Sequence, residues 1–91
     1  MSSSAIFERK TTHSVTEMLA RRVVEGEWGE GQTLPSEPEL ALELGVARTS
    51  VREALMRIKA KGLLVSRTKT GTRVLPRLQW NMLDEDVLRW V

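Results

Sequence analysis

Residues 36–62, "SEPELALELGVARTSVREALMRIKAKG", decide the fold. Ser36 followed three residues later by Glu39 has the form of a capping box, and Pro38 is tolerated there because a first helical turn has no partner for the missing N–H. Leu40, Ala41 and Leu44 mark the buried face of a short helix, and Gly45 stops it. After a turn beginning at Val46, Val51, Ala54, Leu55 and Ile58 fall at i, i+3, i+4 and i+7, the apolar stripe of another helix. Two short helices joined by a tight turn containing glycine are a helix-turn-helix signal.

Upstream, Ser14 and Glu17 form a second capping-box pattern, and Val15, Met18, Leu19 and Val23 recur at helical spacing, predicting a first helix that ends near Gly26. Residues 1–11 lack periodicity and read as a flexible leader to which no function is assigned. The connection "GEWGEGQTLP" has room for a short strand at residues 32–34, and Trp28 in it reads as a packing anchor. Downstream of Gly62, "LLVS" and "TRVL" are strand-like runs joined by the basic hairpin "RTKTG". The expected fold is α+β: a winged helix-turn-helix of three helices and a small antiparallel β-hairpin wing, spanning residues 12–76. Residues 77–91 read as a linker entering an amphipathic helix with Asp84 as N-cap. Trp80, Leu83, Val87, Leu88 and Trp90 require something to pack on, because two turns of helix do not stand alone.

Ninety-one residues at 41% hydrophobic and 29% charged describe one small globular domain. The chain has no cysteine, which excludes disulfides and thiolate metal sites and agrees with a cytoplasmic setting. It also lacks a membrane-length apolar run and a signal-peptide core, so no membrane partner is expected. The net charge of +2 hides an asymmetry. Residues 25–43 hold six acids and no base, whereas residues 48–77 hold nine bases against Glu53 alone. Such a basic segment suits a polyanion, or it is a solvated face that only confers solubility.

Stepping about 100 degrees per residue along the third helix places Arg48, Arg52, Met56 and Thr49 on one exposed flank beside the core stripe. The guanidinium fork of arginine can donate two parallel hydrogen bonds to guanine O6 and N7, and in helix-turn-helix proteins the start of the second helix of the motif meets base edges in the major groove. Arg48 and Arg52 are therefore candidate base readers, with Thr49 and Ser50 beside them for a thymine methyl or a phosphate. Lys69 and Arg73 flank the hairpin tip, where Gly71 lets a backbone approach a sugar-phosphate edge or a minor groove. An enzyme is not expected. The one histidine, His13, lies beside the leader, no glycine-rich phosphate loop is present, and Asp84, Glu85 and Asp86 have no companion ligands for a metal. The alternative is a winged helix that binds an acidic protein, or nucleic acid without sequence specificity.

"LPSEPELALELGVARTSVREALMRIKAKGLL" and "GTRV" together resemble the GntR family of bacterial transcription regulators over about residues 12–75. The tail "WNMLDEDVLRW" is similar to the start of the all-helical effector domain of the FadR-like (FCD) branch. The resemblance implies a cytoplasmic repressor, less often an activator, that binds a palindromic double-stranded DNA operator as a homodimer. It further implies an effector domain outside these residues that binds a metal ion and a small carboxylate or sugar acid, with no cofactor in the present segment. Family DNA contacts carry over to Arg48, Thr49, Ser50 and Arg52, to Gly71 and Thr72 in the wing alongside Lys69 and Arg73, and to Ser36 and Glu37 at the start of the second helix. Three departures stand out. Pro38 occupies a position where many members carry a DNA-contacting arginine, Ala47 replaces a capping serine, and Ser50 replaces a common proline.

Overall fold

The computed structural model describes residues 12–69 and 71–91. Helix α1 (Thr12–Val24) buries Val15, Thr16, Leu19, Ala20 and Val23, one face at helical spacing, and lays it along α3 (Arg48–Ala60). Val51, Ala54, Leu55 and Ile58 of α3 face it, and Leu40 and Ala41 of α2 (Glu37–Leu44) close the core from the other side. Thr16 is the buried polar side chain of this core; its hydroxyl donates to the Thr12 carbonyl at 2.6 Å, so burial leaves it satisfied.

The two capping boxes read from sequence have different fates. At α2 the box forms: Ser36 Oγ accepts from Glu39 N–H at 3.2 Å and Glu39 Oε1 accepts from Ser36 N–H at 2.8 Å. At α1 it does not, because Ser14 already lies inside the helix and the Glu17 carboxylate is taken by Arg89 and Trp90 from the far end of the chain. Gly45 ends α2 with φ +68°, a left-handed conformation suited to glycine, while Val46 N–H returns to the Ala41 carbonyl at 3.0 Å. That closure turns the chain directly into α3.

Strands β1 (Leu64–Arg67) and β2 (Gly71–Val74) pair antiparallel in the register Leu64↔Val74, Val65↔Arg73, Ser66↔Thr72, Arg67↔Gly71. Each regular strand lies one residue nearer the tip than the apolar runs suggest, although Leu75 N–H still reaches the Leu63 carbonyl at 2.9 Å. The segment at residues 32–34 forms a single bridge, Thr33↔Arg73, yet its backbone serves the outer edge of β2 at both ends. Leu34 N–H bonds the Thr72 carbonyl at 2.8 Å and Val74 N–H the Gln32 carbonyl at 3.0 Å. The wing is thereby tied to the connection that precedes α2.

The tail folds back onto the winged helix. A 3₁₀ turn (Arg77–Gln79) leads to α4 (Glu85–Trp90), and Trp80, Val87 and Trp90 enter the same core as α1 and α3. The Trp80 indole N–H donates to the Leu75 carbonyl at 3.0 Å. Asp84 caps α4 through the Asp86 and Val87 N–H groups, as its position predicts, and also accepts from Lys61 Nζ at 2.8 Å. Lys61 is the residue that ends α3, so one side chain joins the last turn of that helix to the first turn of α4. Glu17 completes the clasp through Arg89 at 2.6 Å and the Trp90 indole at 3.2 Å. Leu78, Leu83 and Leu88 remain exposed.

Candidate nucleic-acid interface

Helix α3 begins at Arg48, with Ala47 as an N-cap that has no side chain to offer its free N–H groups. The start of the helix is closed only by Ser50 and Val51 N–H bonds to the Ala47 carbonyl. Arg48, Thr49, Arg52 and Met56 are exposed on one flank, as helical spacing predicts, and Ser50 is half-buried. Met56, 58% exposed, extends the Arg48–Arg52 row by one further turn, an apolar side chain on a face that is otherwise polar or charged.

Arg52 is not free. Its Nε lies 3.3 Å from Glu37 Oε1 across the helix-turn-helix, from the second turn of α3 to the first residue of α2. Ser36, next to Glu37, is engaged in the capping box. The family resemblance implies a DNA contact at Glu37; its pairing with Arg52 is not legible in the sequence, because fifteen residues and an interhelical crossing separate them.

At the wing, Lys69 is exposed and Gly71 has φ +80°, with the position a Cβ would take lying 3.4 Å from Thr33 Cγ2. Thr72 and Arg73 are half-buried. Arg73 Nε is a buried donor with no hydrogen-bond partner among the described residues. Alternation along β2 puts Arg73 on the face opposite Val74, away from the core. Thr70, at the tip, lies outside the described residues.

The local charge asymmetry acquires a structural meaning. Glu27 and Glu43 both hold Arg22, whose guanidinium also lies 4.7 Å from the centre of the Trp28 ring. Glu39 is used in a cap and Glu30 accepts from the Arg77 backbone N–H. The acids are thus mostly committed within the scaffold, Glu39 held below the usual carboxylate range by hydrogen bonds from the Ser36 backbone and side chain. Arg48, Arg57, Lys59, Arg67, Lys69 and Arg73 form no ion pair among the described residues. No group of three or more His, Cys, Asp or Glu side chains arranged for a metal ion occurs among those residues, and no described helix is long and apolar enough to cross a membrane.

The sequence model of the bacterial regulatory proteins of the gntR family matches residues 11–74. YieP, an uncharacterized HTH-type transcriptional regulator of Escherichia coli (strain K12), is 42% identical over 83 residues, which are 91% of this chain and 36% of YieP. The galactonate operon transcriptional repressor of the same organism is 39% identical over 80 residues, 88% of this chain and 35% of the repressor. The chain therefore spans about a third of the length of these relatives. The AraR DNA-binding domain in complex with operator ORR3 superposes with a TM-score of 0.65 at 32% identity, covering 69% of this chain and 76% of that one. On the winged-helix architecture and these matches, the chain belongs to the gntR family of bacterial regulatory proteins.

Proposed function

We propose that this chain is the DNA-reading head of a transcription regulator, inserting the start of α3 into the major groove of duplex DNA while the wing lies on the backbone or in the minor groove. The observation that carries the reading is the uncapped start of α3 with Arg48, Thr49 and Arg52 exposed on one flank. Backbone N–H groups at a helix start favour phosphate, and two arginines one turn apart favour guanine edges. Arg48 and Arg52 read bases, whereas Thr49 and Ser50 contact a methyl or a phosphate. Lys69, Gly71, Thr72 and Arg73 supply wing contacts to phosphate and sugar. Ser36 and Glu37, at the start of α2, flank this surface through the Glu37–Arg52 contact.

Likeness to an operator-bound domain and to an operon repressor supports sequence-specific operator binding with repression as the outcome. The activity is non-enzymatic and its setting cytoplasmic. Homodimerisation on a palindromic operator and control by a small-molecule effector are assigned to the two thirds of the relatives that this chain does not span. The test is selection of bound duplexes from a random library at two salt concentrations. Enrichment of a guanine-containing half-site, lost in Arg48→Ala and Arg52→Ala, is the expected result. Binding that merely falls as salt rises, with no sequence enriched, would overturn base reading and leave a basic surface without sequence preference.

A further inference from the structure

The geometry points to Glu37 as a positioning residue for Arg52, a reading that rests on the base-reading role proposed above. Glu37 Oε1 engages only Nε of the guanidinium, at 3.3 Å, and no other ion pair of Arg52 occurs among the described residues. Arginine can present its fork side-on, through Nε and one Nη, or end-on, through both Nη groups. With Nε taken, the end-on pair is what remains to meet guanine O6 and N7. The Arg52 side chain is 57% exposed and that of Glu37 34% exposed, and an ion pair so open to water adds little to folding. Its consequence is orientation: it fixes a long, rotamer-rich side chain before DNA arrives.

The charge argument leads to the same assignment. A carboxylate beside Arg52 cancels its attraction for phosphate and repels the backbone, so the pair suits a side chain that reads a base and handicaps one that grips phosphate. Glu37 stands at the first residue of α2, where the helix dipole favours a carboxylate, and the separate cap at Ser36 and Glu39 leaves it free of capping duty. The contact also spans the two helices of the motif, so the direction of the reading side chain is set by the α2–α3 crossing as well as by α3.

The experiment uses the best duplex from the selection and a partner duplex in which the guanine pair lost in Arg52→Ala is replaced. Glu37→Gln should lower the affinity ratio of these two duplexes by about fivefold, the small end of the range for losing an arginine base contact. Binding to random DNA should become tighter, and its salt dependence steeper, because a negative charge has left the interface. In the Arg52→Ala background the same change should leave the ratio unaltered. An undiminished ratio in Glu37→Gln, with Arg52→Ala abolishing discrimination, overturns the positioning role alone. Discrimination that survives Arg52→Ala, or a library that enriches nothing, overturns base reading and this proposal with it. Equal loss on every duplex with a lowered Tm marks Glu37 as merely structural and likewise overturns it.

Discussion

Arg52 and Lys69 carry the same charge and should fail in different ways. Arg52→Ala should cost about 1 to 3 kcal/mol on the selected duplex and relax specificity at one base pair. Lys69→Ala should weaken all sequences alike and reduce the salt slope by roughly one, as measured by titration at several salt concentrations. Ala47 gives a third residue-scale expectation. Because no side chain caps α3, Ala47→Ser should stabilise the free chain by about 1 kcal/mol, read as a rise in Tm of roughly 4 to 8 °C. Gly62 has φ +85° and room for nothing more, since an added Cβ would stand 2.9 Å from the Gln79 carbonyl oxygen and 3.3 Å from Asn81 N. Gly26 has a similar φ of +86° but faces open space. Thermal melts of the two alanine variants should therefore differ: Gly26→Ala shows backbone strain of about 1 to 2 kcal/mol, and Gly62→Ala shows more because the tail backbone must shift. The missing cap at Ala47 was legible in the sequence, since it depends on one residue and its neighbours. The Glu37–Arg52 pair and the confinement of Gly62 were not, because both arise where distant segments cross.

Among the elements, short-range patterns decided most outcomes and long-range partners decided the exceptions. The stripes of α2 and α3, the glycine stop between them and the cap of α4 follow from residue spacing and formed where spacing put them. The same S-x-x-E pattern at residues 14–17 and 36–39 gave one tertiary ion pair and one cap, because Arg89 and Trp90 compete for Glu17 while nothing distant competes for Glu39 among the described residues. The α4 clasp has a pH dependence with a definite sign. Hydrogen bonding from Arg89 lowers Glu17, hydrogen bonding from Lys61 lowers Asp84, and Arg89 ahead of Lys61 lowers Asp86, against burial that opposes each shift. Groups depressed in the folded chain stabilise it fully above their ordinary values of 4.5 and 3.8 and cease to do so as pH falls through the lower folded values. Lys61 is raised by the same contact with Asp84, so its share persists until pH exceeds 10.5. Acidification below about pH 4 should thus release α4 before the three-helix core. The indole N–H resonance of Trp90 reports this, and its disappearance only together with Val51 and Leu55 amide signals would contradict the order.

At the scale of the whole molecule, the segment after residue 76 packs on the winged helix. The shift in composition is real, and Trp80, Val87 and Trp90 bury themselves in the winged-helix core. Burying such side chains is worth on the order of 5 kcal/mol in gross terms, less the entropy of ordering the tail, within a total that for small domains is roughly 5 to 15 kcal/mol. A chain ending at Pro76 should accordingly melt at distinctly lower temperature by calorimetry. Lys61 makes the attachment directional, since it ends α3, the proposed reading helix, and grips the first turn of α4. For anyone exchanging reading heads between regulators, the seam belongs beyond Trp90. A graft cut at the apparent linker would transplant α3 while leaving behind its counterweight, and a hybrid joined past α4 would carry both.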